Sequence, residues 1–99
     1  MPALSLKEAT LRMKAVPRWA LRSGAIRRKF EFEGFVDAIA FVNRVARRAQ
    51  KDDHHPDIDI RWNKVTLTLS THSEGGLTGK DFSMARACSA LYARHFDPR

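Results

Sequence analysis

The stretch Asp57-Ile58-Asp59-Ile60-Arg61-Trp62-Asn63-Lys64-Val65-Thr66-Leu67-Thr68-Leu69-Ser70 decides the fold. Ile58 and Ile60 alternate with charged residues, and Val65, Leu67 and Leu69 alternate with threonine and serine. Successive side chains of a strand point to opposite faces, so each run presents one apolar and one polar face. Trp62-Asn63 between them reads as a tight turn. The two runs form an antiparallel hairpin, half buried and half wet.

Upstream of this hairpin the period changes. From Gly34 onward, Phe35, Ile39, Val42, Val45, Ala46 and Ala49 fall on one helical stripe. Arg44, Arg47, Arg48 and Lys51 take the outer face and the C-terminal end, where the helix dipole favours cations. Asp52-Asp53 ends this helix and Pro56 blocks its continuation. Before it, Ile26, Phe30 and Phe32 share a face opposite Arg27, Lys29 and Glu31. Ser23-Gly24 supplies the turn that joins them to Trp19 and Leu21 in a first hairpin. Ser5 and Glu8 have capping-box spacing at the start of a short helix carrying Leu6, Ala9, Leu11 and Met13, which ends before Pro17. Beyond the second hairpin, Gly75-Gly76 loosens a loop and Thr78 opens a last helix with Phe82, Ala85, Cys88 and Tyr92 on one stripe. Strands that arrive as hairpins make the sheet antiparallel. The predicted fold is therefore α+β: a four-stranded antiparallel sheet built from two hairpins, with three helices packed on one face.

Ninety-nine residues, 43% of them apolar, make one soluble globular domain spanning 1–99. No apolar run approaches the roughly 20 residues of a membrane span, and the N-terminus lacks the apolar stretch of a signal peptide. The single cysteine, Cys88, has no partner for an internal disulfide, which fits a reducing cytoplasm. The core of so short a chain is modest, and self-association would enlarge it.

The net charge of +7 is unevenly spread: residues 1–30 hold eight Lys/Arg against one acid, and residues 52–99 hold six against seven. Such a basic third could attract a polyanion. However, Arg27-Arg28-Lys29 interleave with strand residues and bring no aromatic stacking platform. A solvated basic face is the expected reading, and nucleic-acid binding is not expected.

Three of the four histidines, His54, His55 and His72, cluster around the second hairpin. Imidazole titrates near neutral pH, so such a group suits proton transfer. Zinc would also accept three imidazoles. Yet His54 and His55 are neighbours that diverge in extended chain, and neither a His-x-x-x-His pair nor a cysteine cluster exists, so no metal is expected. Ser70 and Ser73 lack the strand–elbow–helix context of a nucleophile. Acid–base chemistry without a cofactor remains, against the plainer alternative that His54 and His55 merely cap the preceding helix. Asp81 is equally open. Thr78 and Asp81 have capping-box spacing, and a carboxylate there could also orient an imidazole.

At these residues the chain resembles the pterin-4a-carbinolamine dehydratase family. The resemblance is carried by Ala49-Gln50-Lys51-Asp52-Asp53-His54-His55-Pro56, Trp62-Asn63-Lys64-Val65, Leu69-Ser70-Thr71-His72, Gly75-Gly76-Leu77-Thr78 and Asp81, with the helix from Phe35 to Ala46. Two positions depart from the family pattern: Gln50 stands where many members carry glutamate, and Ile58 where some carry tryptophan. The resemblance implies a lyase that eliminates water from 4a-hydroxytetrahydropterin, the product of aromatic amino acid hydroxylases, to give quinonoid dihydropterin. The pterin is then substrate, and no cofactor is implied. It further implies that His54, His55 and His72 line the site with Asp81 in support; within that set His54 and His72 are expected to form the acid–base pair, and His55, Trp62, Ser70 and Thr71 to contact the pterin. A homodimer or homotetramer is implied too. The alternative is a non-catalytic assembly factor or transcriptional coactivator on the same fold, supported by Gln50 and the basic N-terminal third; retention of three histidines favours the enzyme.

Overall fold

The structure, a computed structural model, describes residues 2–97. Helix α1 (Leu6–Arg12) is followed by a 3-10 turn (Met13–Ala15), β1 (Ala20–Arg22), β2 (Ala25–Glu31), α2 (Phe35–Asp52), β3 (Asp57–Arg61), β4 (Lys64–Leu69), a second 3-10 turn (His72–Glu74) and α3 (Gly79–His95). The strands form one antiparallel sheet in the order β1-β2-β4-β3. The two hairpins therefore join through β2 and β4, with Ile26 opposite Leu69 and Phe30 opposite Val65. This is the α+β arrangement that the sequence predicts.

Local chemistry explains the element ends. At α1, Ser5 Oγ accepts from Glu8 N–H at 3.1 Å, and Glu8 Oε1 accepts from Ser5 N–H at 2.9 Å, a complete capping box. The turn between β1 and β2 places Ser23 at φ 50° and Gly24 at φ 75°, the left-handed pair that matches the twist of a two-residue hairpin. Helix α2 stops where Asp53 turns left-handed at φ 50°.

One face of the sheet is the core face. Ile26, Phe30, Val65, Leu67 and Leu69 are buried there against Phe41, Val45, Met84, Ala85 and Cys88 from α2 and α3. Three expectations are corrected. The buried stripe of α2 is Ala38, Phe41, Val45 and Ala49, while Phe35 is 50% exposed and Ala46 lies on the surface. Two adjacent helical stripes have the same spacing, and the ring contacts of Phe41 with Phe30, Phe32, Tyr92 and Phe96 select between them. On α1, Leu6 and Leu11 are exposed and Ala9 is the buried residue. Finally, Ile58 and Ile60 are not half-buried core: β3 is the edge strand and is exposed along its whole length.

Arg28 was not anticipated on the core side. It shares a face with Ile26 and Phe30, and its guanidinium stands 4.3 Å above the Phe30 ring. Its Nη1 donates to Ser89 Oγ at 2.9 Å, an oxygen that also accepts from Trp19 Nε1 at 2.9 Å. Burial, and then the nearby Arg18 charge, lower the Arg28 pKa.

Cys88 is fully buried on α3, and burial pushes its thiol up from 9.0 to about 12. It should resist a thiol alkylating reagent near neutral pH until the chain unfolds, because the thiolate is the nucleophile. The sign of the pH effect follows. The unfolded thiol ionises near 9.0 and the folded one near 12, so the stabilisation from keeping it neutral is complete below pH 9 and disappears as pH climbs toward 12. Melting of the wild type should therefore lose more stability across that window than melting of a Cys88→Ala variant; parallel losses would contradict this.

Candidate active site

The three sequence segments that carry the chemistry meet at one end of the sheet, where β3 begins, β4 ends, α2 finishes and α3 starts. The left-handed Asp53 redirects the chain after α2, and His54 N–H still bonds back to Ala49 C=O at 3.1 Å. That turn points the His54 ring at the first turn of α3. There His54 Nε2 lies 2.6 Å from Asp81 Oδ1, with side-chain exposures of 10% and 0%.

Asp81 is held by its second oxygen. Oδ2 accepts from Thr71 Oγ1 at 2.7 Å and from Thr78 N–H at 3.0 Å. Because Thr71 spends its one hydroxyl proton on Asp81, Thr78 donates to Thr71 at 2.8 Å, and Thr78 in turn accepts from Lys80 N–H at 3.3 Å. Every donor in this chain of bonds points toward the carboxylate, which fixes Asp81 as an acceptor. Oδ1 then receives the proton on His54 Nε2, and Nδ1 is left to exchange protons. Among the described residues no buried side-chain nitrogen or oxygen lacks a partner. The capping box at α3 and the orientation of an imidazole are thus one structure: Asp81 does both.

The other predicted residues are placed as follows. His55 is exposed, and its Nε2 donates to Gln50 Oε1 at 3.1 Å, so His54 and His55 diverge to separate partners. His72 opens the 3-10 turn after β4; it is exposed, and its ring makes no hydrogen bond among the described residues. Its neighbour Thr71 is buried and serves Asp81. Ser70 Oγ donates to Gly24 C=O at 3.0 Å, tying the loop to the first hairpin. Trp62 is at the opposite end of the β3–β4 hairpin. At the usual rise per strand residue it sits roughly 17 Å from the start of β3.

Two cavities flank the dyad. One of about 480 Å³ is lined by His54, Arg48, Asp52, Lys80, Ser83 and Met84, among others. The other, about 150 Å³, is lined by Thr71, Ser73, Glu74, Thr78, Gly79 and Lys80. Lys80 borders both and is missing from the residues singled out in the sequence; its position between Thr78 and Asp81 was the available signal. A larger cavity of about 830 Å³, beside Arg18, Arg28 and Tyr92, holds no histidine and opens roughly 16 Å along α3 from Asp81. Size does not choose the site here; the converging polar groups do. Among the described residues no three His, Cys, Asp or Glu side chains gather as a metal-binding group, and no helix is long and apolar enough to cross a membrane.

The family model described as Pterin 4 alpha carbinolamine dehydratase matches residues 2–91. The chain belongs to that family. Among this dehydratase family member's relatives, a protein of Acidobacterium capsulatum named "Putative pterin-4-alpha-carbinolamine dehydratase" is 48% identical over 91 residues, covering 92% of this chain and 99% of that protein. One of the same name from Mycobacterium sp. (strain KMS) is 54% identical over 76 residues, covering 77% of this chain and 81% of that one. The crystal structure of a transcriptional coactivator/pterin dehydratase from Brucella melitensis superposes with a TM-score of 0.86 at 37% identity, covering 90% of this chain and 97% of that chain. A pterin dehydratase-like RuBisCO assembly factor of the alpha-carboxysome shares the fold alone, with a TM-score of 0.63 at 21% identity over 75% of this chain and 86% of that one.

Proposed function

We propose that this protein eliminates water from 4a-hydroxytetrahydropterin to give quinonoid dihydropterin, with His54 and His72 as the acid–base pair. The observation that carries the reading is the His54–Asp81 bond, buried and aligned by Thr71 and Thr78. The elimination breaks the C4a–O bond, and the oxygen leaves with the electron pair. One imidazole of the pair, protonated, supplies the proton that makes it water. The other imidazole takes the proton of the adjacent ring N–H, whose electrons close the C=N bond. Atoms and charge balance with no metal and no bound cofactor. Asp81 positions His54 in the tautomer that leaves Nδ1 for exchange. His55, tied to Gln50, binds or polarises the pterin.

The substrate implies an aromatic amino acid hydroxylase upstream and a reductase downstream. The exposed edge strand β3 supports a homodimer or homotetramer, since unpaired edges are commonly covered. A scaffold role finds less support, because the likeness to the assembly factor is one of fold.

His72 tests the pairing of the two histidines. Its ring is exposed and makes no hydrogen bond among the described residues, so His72→Ala should fold as the wild type does while kcat falls by roughly 10²–10⁴-fold, the range for a positioned acid or base. Steady-state kinetics beside a melting curve decide it. A folded variant with wild-type kcat makes His72 structural.

A further inference from the structure

Strand β2 is left half-paired on the side away from the histidines. Strand β1 is three residues long and β2 is seven, and their pairing stops at Ala20 opposite Arg27. β1 does not reach further along β2, because Trp19 N–H bonds Val16 C=O at 3.0 Å and Pro17 has no N–H to offer, so the chain turns away. Residues 28–31 are therefore paired with β4 alone. Where β1 would have continued lies the cavity of about 830 Å³ that Arg18, Arg28, Lys29, Glu31 and Tyr92 help to line.

Backbone groups face that cavity. Phe32 N–H bonds Asn63 C=O at 2.9 Å, so the even-numbered residues of β2 turn their N–H and C=O to β4 and the odd-numbered ones turn theirs to the β1 side. Lys29 N–H, Lys29 C=O and Glu31 N–H thus have no strand opposite them. Glu31 C=O, on the same side, accepts from Tyr92 O–H at 2.7 Å and closes the far end of the row. The remaining groups are a template for a strand of about three residues.

The charges give such a strand its direction. Arg28 gives Nη1 to Ser89 Oγ, and the other donors of its fork have no acceptor among the described residues. Burial, and then the Arg18 charge beside it, hold its pKa down, so an anion here would relieve both guanidiniums. Glu31 lies at the other end by Tyr92, and Asp97 also borders the cavity. A strand added antiparallel to β2 runs from Glu31 toward Arg28 and must stop there, because Ala20 already pairs with Arg27. Its terminal carboxylate then meets the two guanidiniums. A parallel strand would bring them an ammonium instead.

We propose that this cavity binds the carboxyl terminus of a partner polypeptide as a short antiparallel strand on β2. The last residue of the partner stands opposite Lys29: its N–H donates to Lys29 C=O, and its carboxylate accepts from Lys29 N–H and from the Arg28 and Arg18 guanidiniums. Lys29 and Glu31 are exposed on the uncovered face of the sheet, so the last and third-last side chains of the partner stand beside them. The penultimate side chain points inward toward Phe30 and Tyr92. The matching ending is thus a basic residue, an aromatic one and an acidic one that carries the free carboxylate. Nothing in this site rests on the dehydratase reading, since it opens roughly 16 Å along α3 from Asp81.

Peptide titration tests it. An acetylated peptide ending in Lys-Phe-Asp with a free carboxylate, labelled for fluorescence anisotropy near its other end, should bind the full chain saturably. The same peptide ending in a carboxamide should bind at least roughly tenfold more weakly, the loss of charge-assisted hydrogen bonds. An Asp-Phe-Lys ending, which sets like charges side by side, should also bind more weakly. Arg18→Glu changes an exposed residue and should melt as the wild type does while losing at least roughly tenfold in affinity for the free-acid peptide. In amide-resolved NMR, peptide binding should shift the Lys29 and Glu31 N–H signals and slow their exchange with solvent. No saturable binding, equal binding of acid and carboxamide, or shifts centred on His54 and Thr71 with Lys29 and Glu31 unmoved would each overturn the proposal. So would displacement of the labelled peptide by N-acetylaspartate as effectively as by the unlabelled peptide, because the cavity would then hold a carboxylate without adding a strand.

Discussion

Asp81→Asn should leave the protein folded and lower kcat by roughly 10²–10⁴-fold. An asparagine oxygen can still accept from Thr71 Oγ1 and Thr78 N–H, so the cap of α3 and the buried network survive. The amide nitrogen then faces His54 Nε2 and can only donate. His54 must accept at Nε2 and carry its proton on Nδ1, the opposite tautomer from the one that the carboxylate enforces. Read from the sequence, where Asp81 serves equally well as a cap, this substitution should be milder than loss of a histidine. The 2.6 Å bond between two shielded side chains removes that expectation. The check is kcat alongside the thermal midpoint. A variant that melts like wild type and turns over within about threefold of it would reduce Asp81 to a cap.

His54→Ala should cost at least as much, and it should not add to Asp81→Asn. The two side chains act as one unit, so the double variant should turn over no more slowly than His54→Ala alone. Independent, multiplying losses would show that Asp81 acts on something other than His54. His55→Ala should behave differently: its ring touches Gln50 on the exposed side of the turn, so KM should rise more than kcat falls.

Much of this was legible because it is local. Ser5/Glu8 and Thr78/Asp81 are capping boxes by spacing alone, and both are closed in the structure. The period of two across Ile58–Leu69 and the period of 3.6 after Gly34 gave the elements. What escaped depends on which neighbour packs where. Phe35 and Phe41 fit equally good helical stripes, and only the aromatic cluster from β2 and α3 sends Phe41 inward. Ile58 and Val65 alternate alike, but β3 is an edge and β4 is central, a distinction of sheet order that no single strand encodes. Arg28 is counted with the solvated cluster Arg27-Arg28-Lys29, although the period of two sets it on the face of Ile26 and Phe30, where Ser89, sixty-one residues away, accepts from it. For the site, the family resemblance brought His54, Thr71 and Asp81 into one motif, and the structure joins them by direct bonds. Trp62 belongs to the same motif by sequence but stands at the opposite end of the hairpin, because a strand separates in space what the chain keeps close.

The most direct measurement is stopped-flow decay of 4a-hydroxytetrahydropterin in excess EDTA, with wild type and His54→Ala side by side. Wild type should accelerate the decay in proportion to enzyme concentration, undiminished by the chelator, while His54→Ala loses at least about a hundredfold of that acceleration. A wild-type protein that decays the substrate no faster than buffer, or one whose activity vanishes with EDTA and returns with zinc, would contradict dehydration by a His54–Asp81 acid–base site.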